Sequence, residues 1–241
     1  MLSPIRQSQT SVIALGDGAT TNVGFSTLPL VGNRAVLIVF GNPGASPFAA
    51  YVEDNGDGRL WTMDAFSLSI PSFVNSYVAI FSKEITTITG DPFMATLHYP
   101  QGTGNYAVLK LFELRRCVLE QSVNQFADVT SGDVASMVCT AGEMSFPEIP
   151  SADRIAFGVL SNDTTSQTGA PATTPVGWTQ VSAYNDAPAG TIIMREFNRK
   201  VAGDISNTWA DLDLAGTGQF GPNCAIASYR ILGSRTRMVG S

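Results

Sequence analysis

The chain has 241 residues, with 14 Lys and Arg against 20 Asp and Glu, a net charge of −6 and an isoelectric point near 4.7. That balance argues against a nucleic-acid surface, which needs clustered Lys and Arg to displace counterions, and no apolar run approaches the roughly 18 residues that span a bilayer. The chain is 44% hydrophobic, enough for a real core, but only 14% charged, against about 25% in ordinary soluble domains; so charge-poor a surface points to contact with other protein.

The opening MLSPIRQSQT lacks the apolar core of a secretory signal, which predicts a chain made and kept inside the producing cell. Short apolar runs bounded by Gly, Pro, Asn, Asp and Ser then read as strands. They fall near 11–15, 21–26, 35–40, 48–53, 59–66, 76–82, 93–99, 105–114, 123–129, 134–140, 154–160, 177–184, 190–200, 207–213 and 222–231. Residues 35–40 and 105–114 are almost unbroken apolar runs, the pattern of central strands covered on both faces or at an interface. The best helical candidate, DPFMATLHY, repeats Phe93, Ala95, Leu97 and Tyr99 at period two, so it too is a strand, with His98 on its other face. Residues 115–150 connect two halves, and QFADVT and VASMVCT within them alternate as a strand pair would. Residues 161–176 form a long polar surface loop. In 222–231, Ala225, Ala227, Tyr229 and Ile231 make the more apolar face and are expected to meet the core.

The second half repeats the pattern of the first. Residues 35–114 and 154–232 each run through an apolar strand, a polar loop, a strand entered at a Trp, a strand ending in basic residues, an alternating strand and a long closing strand. Trp61 matches Trp178 and Phe81 matches Phe197; on that match Ala79 and Ile80 stand opposite Arg195 and Glu196, so those two strands are not equally buried. Cys117, Cys139 and Cys224 are odd in number and widely spaced, which predicts free thiols without a disulfide framework or a zinc site.

Candidate sites are few. Glu53, Asn55, Asp57 and Gly58 fit the start of a calcium loop, with Asp64 at its twelfth position. A Glu at the first position, an Asp at the twelfth and strand-like flanks favour a hairpin turn instead, for which Asn-Gly and Asp-Gly are strong signals. His98 is the lone histidine and reads as a surface residue. No nucleophile elbow or phosphate loop occurs, and GNPGAS and GTGQFG read as turns between strands. A carboxylate pair drawn from Glu53, Asp57, Asp64, Glu84 and Glu196 is the residual route to a glycosidase. The Trp and Tyr residues suit either a sugar platform or core filling, and the matched places of Trp61 and Trp178 favour core. Arg235 and Arg237 lie in a tail that reads as a docking arm.

The run DNGDGRLW, then SYVAIFSKEI, then AVLKLFEL, echoed by PVGWTQV, IIMREFNRKV and AIASYRI, resembles the duplicated jelly-roll, concanavalin-like sandwich of tailed-bacteriophage structural proteins. The resemblance covers about 35–232 and implies an all-β, two-sheet antiparallel β-sandwich with an internal pseudo-repeat. Residues 1–34 would be an N-terminal arm with the first strands, 35–232 one duplicated domain, and 233–241 a tail. It further implies a non-enzymatic virion component of the head, neck or tail, made in the host cytoplasm and built into particles beside capsid, neck or tail proteins and further copies of itself. A carbohydrate-binding module for host glycans, calcium-assisted at 53–64, is the alternative.

Overall fold

The computed structural model describes residues 3–15, 20–41, 50–69, 76–98, 105–126, 138–140, 154–163, 178–185, 192–201, 211–213 and 220–232. Their regular structure is all antiparallel strand. In the first half these are β1 (Ile5–Leu15), β2 (Thr20–Gly24), β3 (Arg34–Gly41), β4 (Tyr51–Asp54), β5 (Thr62–Ser69), β6 (Ser76–Glu84), β7 (Met94–His98) and β8 (Asn105–Leu114). The second half contributes β9 (Cys117–Phe126), β10 (Val138–Thr140), β11 (Arg154–Asp163), β12 (Thr179–Asn185), β13 (Ile192–Val201), β14 (Asp211–Asp213) and β15 (Phe220–Ile231).

The strand order shows the duplication. One five-stranded sheet runs β1-β8-β3-β6-β5; the other, taken from its β9 edge, runs β9-β15-β11-β13-β12. Each places its half's first strand beside its last, as a jelly roll does. The small sheet β2-β7-β4 has the pair β10-β14 as its counterpart. Residues 1–34 contribute to these sheets, with β1 beside β8 and β2 beside β7.

Register fixes the match residue by residue. Met63 faces Phe81 and Ala65 faces Ile80, leaving Asp64 as a bulge; Gln180 faces Phe197 and Ser182 faces Glu196, leaving Val181. Trp61 and Trp178 both stand just before these strands, and both are buried. The first strands carry a second matched bulge. Arg6 is the extra residue between Ile5 (facing Leu114) and Gln7 (facing Glu113), and Glu120 is the extra residue between Leu119 (facing Tyr229) and Gln121 (facing Ser228).

The two large sheets pack face to face, so the first is covered on both sides. On β3, Ala35, Leu37 and Val39 meet Val23, Val52, Ala95 and Leu97 of the small sheet, while Val36 and Ile38 join Ile155, Phe157, Val159, Ala225, Ala227 and Tyr229 of the second large sheet. This is why 35–40 is apolar without alternation. Phe112 and Phe157 meet across the seam with ring centroids 4.7 Å apart. Burying one such aromatic side chain contributes about 1.5–3 kcal/mol.

Of QFADVT only Gln125 and Phe126, the end of β9, are described and pair with β15, and of VASMVCT only Val138–Thr140, which is β10 and pairs with β14; the expected pairing of the two segments lies outside the described residues. Two local expectations are corrected. The Asn-Gly and Asp-Gly turn is not a hairpin, since β4 belongs to the small sheet and β5 to the large one; 55–61 is a corner between layers, helped by Gly58 at φ 67°. Cys224 is disulfide-bonded, whereas Cys117 is free, with a thiol that burial pushes up to about 12. Spacing along the chain cannot show which strands the fold brings together.

Candidate assembly surface

The connector from β2 to β3 turns apolar side chains outward at one end of the first half. In Leu28-Pro29-Leu30-Val31, Pro29 is buried while Leu28, Leu30 and Val31 are 44%, 51% and 61% exposed. The backbone beneath them is held at many points. Arg6 Nη1 donates to the Leu28 carbonyl at 3.1 Å, and Gln7 Nε2 to that of Thr27 at 2.9 Å. Gly32, at φ 87°, donates its N–H to Ile85 at 2.8 Å, and the N–H of Ile85 returns to Asn33 at 2.8 Å. A positive φ is a backbone state that glycine adopts without a Cβ clash.

Glu113 is the anchor. It is fully buried near the end of β8 and accepts from Leu30 N–H at 2.9 Å, Asn33 Nδ2 at 2.6 Å, Gln7 Nε2 at 2.6 Å and Arg6 Nη1 at 2.5 Å. Burial by itself raises a carboxyl pKa; here the four donors together outweigh it and hold Glu113 below its ordinary value. The carboxylate thus ties the exposed loop to the sheet. The patch continues into the second half: Asn33 Oδ1 accepts from Arg116 N–H at 3.2 Å, and the Arg116 carbonyl accepts from the N–H of Leu232, itself exposed.

The residues of the calcium pattern, set aside above in favour of a turn, go to separate partners. Glu53 Oε1 lies 2.7 Å from His98 Nε2. Asn55 Nδ2 donates to the Pro92 carbonyl, and its Oδ1 accepts from Met94 N–H. Asp57 accepts from Lys83, from Arg59 N–H and from Thr86. Asp64 faces the second half, where Tyr229 OH donates to it at 2.6 Å. The centre of the 53–58 turn is Asp54, outside the calcium pattern. Its buried carboxylate accepts from Gly56 N–H, from Trp61 Nε1 at 2.9 Å and from Lys83 Nζ at 2.7 Å. Among the described residues no group of three or more His, Cys, Asp or Glu is placed to hold a metal.

Of the carboxylates considered as a catalytic pair, Asp57 shares Lys83 with Asp54, Glu84 is exposed, and Asp64 is buried against Tyr229 of the second half. The side chain of Glu196 and the tail residues Arg235 and Arg237 fall outside the described parts. Sequence reading missed Leu28–Val31 and Glu113 as a site, because an apolar loop and a strand-end Glu carry no motif. The one available signal was three large apolar residues beside a proline in a connector.

No known protein family and no curated protein matches the chain. Among solved structures, the crystal structure of the STIV MCP aligns over 98% of this chain and 100% of its own, at 10% identity and a TM-score of 0.26. A likeness that slight bears on neither fold nor role.

Proposed function

We propose that this chain is a structural protein of a tailed-bacteriophage virion, a head, neck or tail component that works by assembly rather than catalysis. The observation that carries this reading is the Leu28–Val31 loop, three large apolar side chains held out on a backbone fixed by a buried carboxylate. Such preorganisation lowers the ordering cost of association. The charge-poor composition and the sequence resemblance to tailed-phage structural proteins support it. Leu30→Asp with Val31→Asp changes only exposed side chains, so the unfolding free energy should stay within about 0.5 kcal/mol of wild type. Antibody labelling of purified particles should find the wild-type chain on the virion and lose the variant. Equal incorporation of both would count against the loop, and absence of the wild-type chain from particles would overturn the reading.

A second reading rests on the outer face of the small sheet. Tyr51 stacks on His98 at 4.4 Å with planes 6° apart, and His98 meets Glu53. An exposed aromatic beside a carboxylate suits a sugar. Glycan binding that disappears on Tyr51→Ala, with the fold kept, would establish it.

A further inference from the structure

The matched bulges of the first strands carry opposite charges, and so do the groups they meet. In the first half the bulge residue is Arg6, and it pairs with the buried Glu113 of β8 at 2.5 Å. In the second half the bulge residue is Glu120, and it pairs with the buried Arg154 of β11 at 2.9 Å and with Arg230 at 3.3 Å. The surrounding positions correspond. Ala35 faces Glu113 and Ala156 faces Ser228, so Arg154, two residues before Ala156, stands where Asn33 stands two residues before Ala35.

Because the halves share one backbone plan, each first strand has two places it could enter. β9 set in the place of β1 would bring Glu120 against Glu113, and β1 set in the place of β9 would bring Arg6 against Arg154. Both crossed pairings put like charges together away from water, an arrangement that costs several kcal/mol. The danger is real for β9, which follows β8 after only Arg115 and Arg116. A local hairpin closing on those two residues would set Glu113 opposite Val118 and Leu111 opposite Glu120, with both carboxylates diagonal on one face.

We infer that the opposite signs of the two bulge anchors sort the first strands of the halves, admitting β1 only beside β8 and β9 only beside β15. The inference rests on the duplicated fold alone and is independent of the assembly role.

The test reverses one anchor. In E120R/R154E the own-half pair keeps an acid beside a base, and Arg230 exchanges the acid at 120 for one at 154, opposite it in register. Both crossed pairings, however, become attractive. After refolding from denaturant, the fraction returning to the wild-type size distribution should fall by on the order of tenfold. E120Q/R154Q, which removes the penalty without creating an attraction, should fall between wild type and E120R/R154E, and serves should a reversed variant not fold. Refolding as clean as wild type in E120R/R154E, or in E120Q/R154Q if it alone folds, would overturn the sorting role.

Discussion

Among the described residues the charge buried to zero exposure is Glu113 in the first half, on the last strand, and Arg154 in the second, at the start of β11. Strand order and both bulges coincide between the halves, yet among the described residues the polar contacts at matched places differ. Asp64 fills a bulge that Val181 fills in the other half. Trp61 Nε1 donates to Asp54, whereas the buried Trp178 Nε1 has no partner among the described residues. The difference teaches that pleat, register and bulge position define this architecture. The chemistry at a bulge is free to change as long as the neighbouring strand compensates it, because an uncompensated buried charge is what the fold cannot bear.

The comparison can be broken most forcefully at the anchors. Glu113→Ala removes the acceptor of four donors and should lower unfolding free energy by on the order of 5 kcal/mol, read from the denaturant midpoint. Glu120→Ala leaves Arg154 without that partner and should cost about 3 kcal/mol. A larger loss at Glu120 than at Glu113 would mean the second anchor is the dominant one. The tryptophans offer a finer contrast. Trp61→Phe deletes a satisfied hydrogen bond and should cost about 2 kcal/mol, whereas Trp178→Phe deletes an unmet donor and should stay within about 1 kcal/mol of wild type.

Titration separates two carboxylates of the same turn and strand. Asp57 is lowered from 3.8 to about 2, chiefly by the hydrogen bond from Lys83 and then by that from Arg59 N–H. A folded pKa below the unfolded one stabilises above 3.8, and this contribution is lost as pH falls toward about 2. Asp64 is raised, by burial first, against the hydrogen bonds from Ser82 and Tyr229. Its stabilisation is complete below 3.8 and is lost as pH rises through the folded value. Asp57→Asn should therefore flatten the acid side of the stability curve, and Asp64→Asn should gain on wild type as pH rises. Urea midpoints across the acid range read both, and the smallest effect is expected here.

Much of the fold was legible. Apolar runs bounded by turn residues met every described strand at least in part, the Trp61–Trp178 and Phe81–Phe197 matches agree with the observed register, and the unbroken run of β3 announced a strand covered on both faces. Where reading failed, the failures coincide. The starts of β1 and β9 were missed, at IRQSQT and CVLEQS, because a bulge breaks the alternation at Arg6 and Glu120 and because Gln7 and Gln121 are polar where a core pattern wants apolar residues. Those are the very segments whose bulge residues, Arg6 and Glu120, pair with the buried Glu113 and Arg154. The disulfide at Cys224, the burial of Arg154 and the anchoring of Leu28–Val31 by Glu113 all join residues far apart in the chain, so no local pattern records them. The calcium pattern failed to anticipate Asp54, whose role comes from Trp61 and Lys83 reaching it from other elements.

That β9 leaves β8 at once and builds the second half beside β15 is tested most directly by cross-strand backbone NOEs in the deuterated protein. Contacts linking Gln121 with Ser228 and Leu119 with Tyr229, with Glu120 skipped between them, are the predicted result. Contacts running instead from Val118 to Glu113 and from Glu120 to Leu111, the signature of a β8–β9 hairpin, would contradict it.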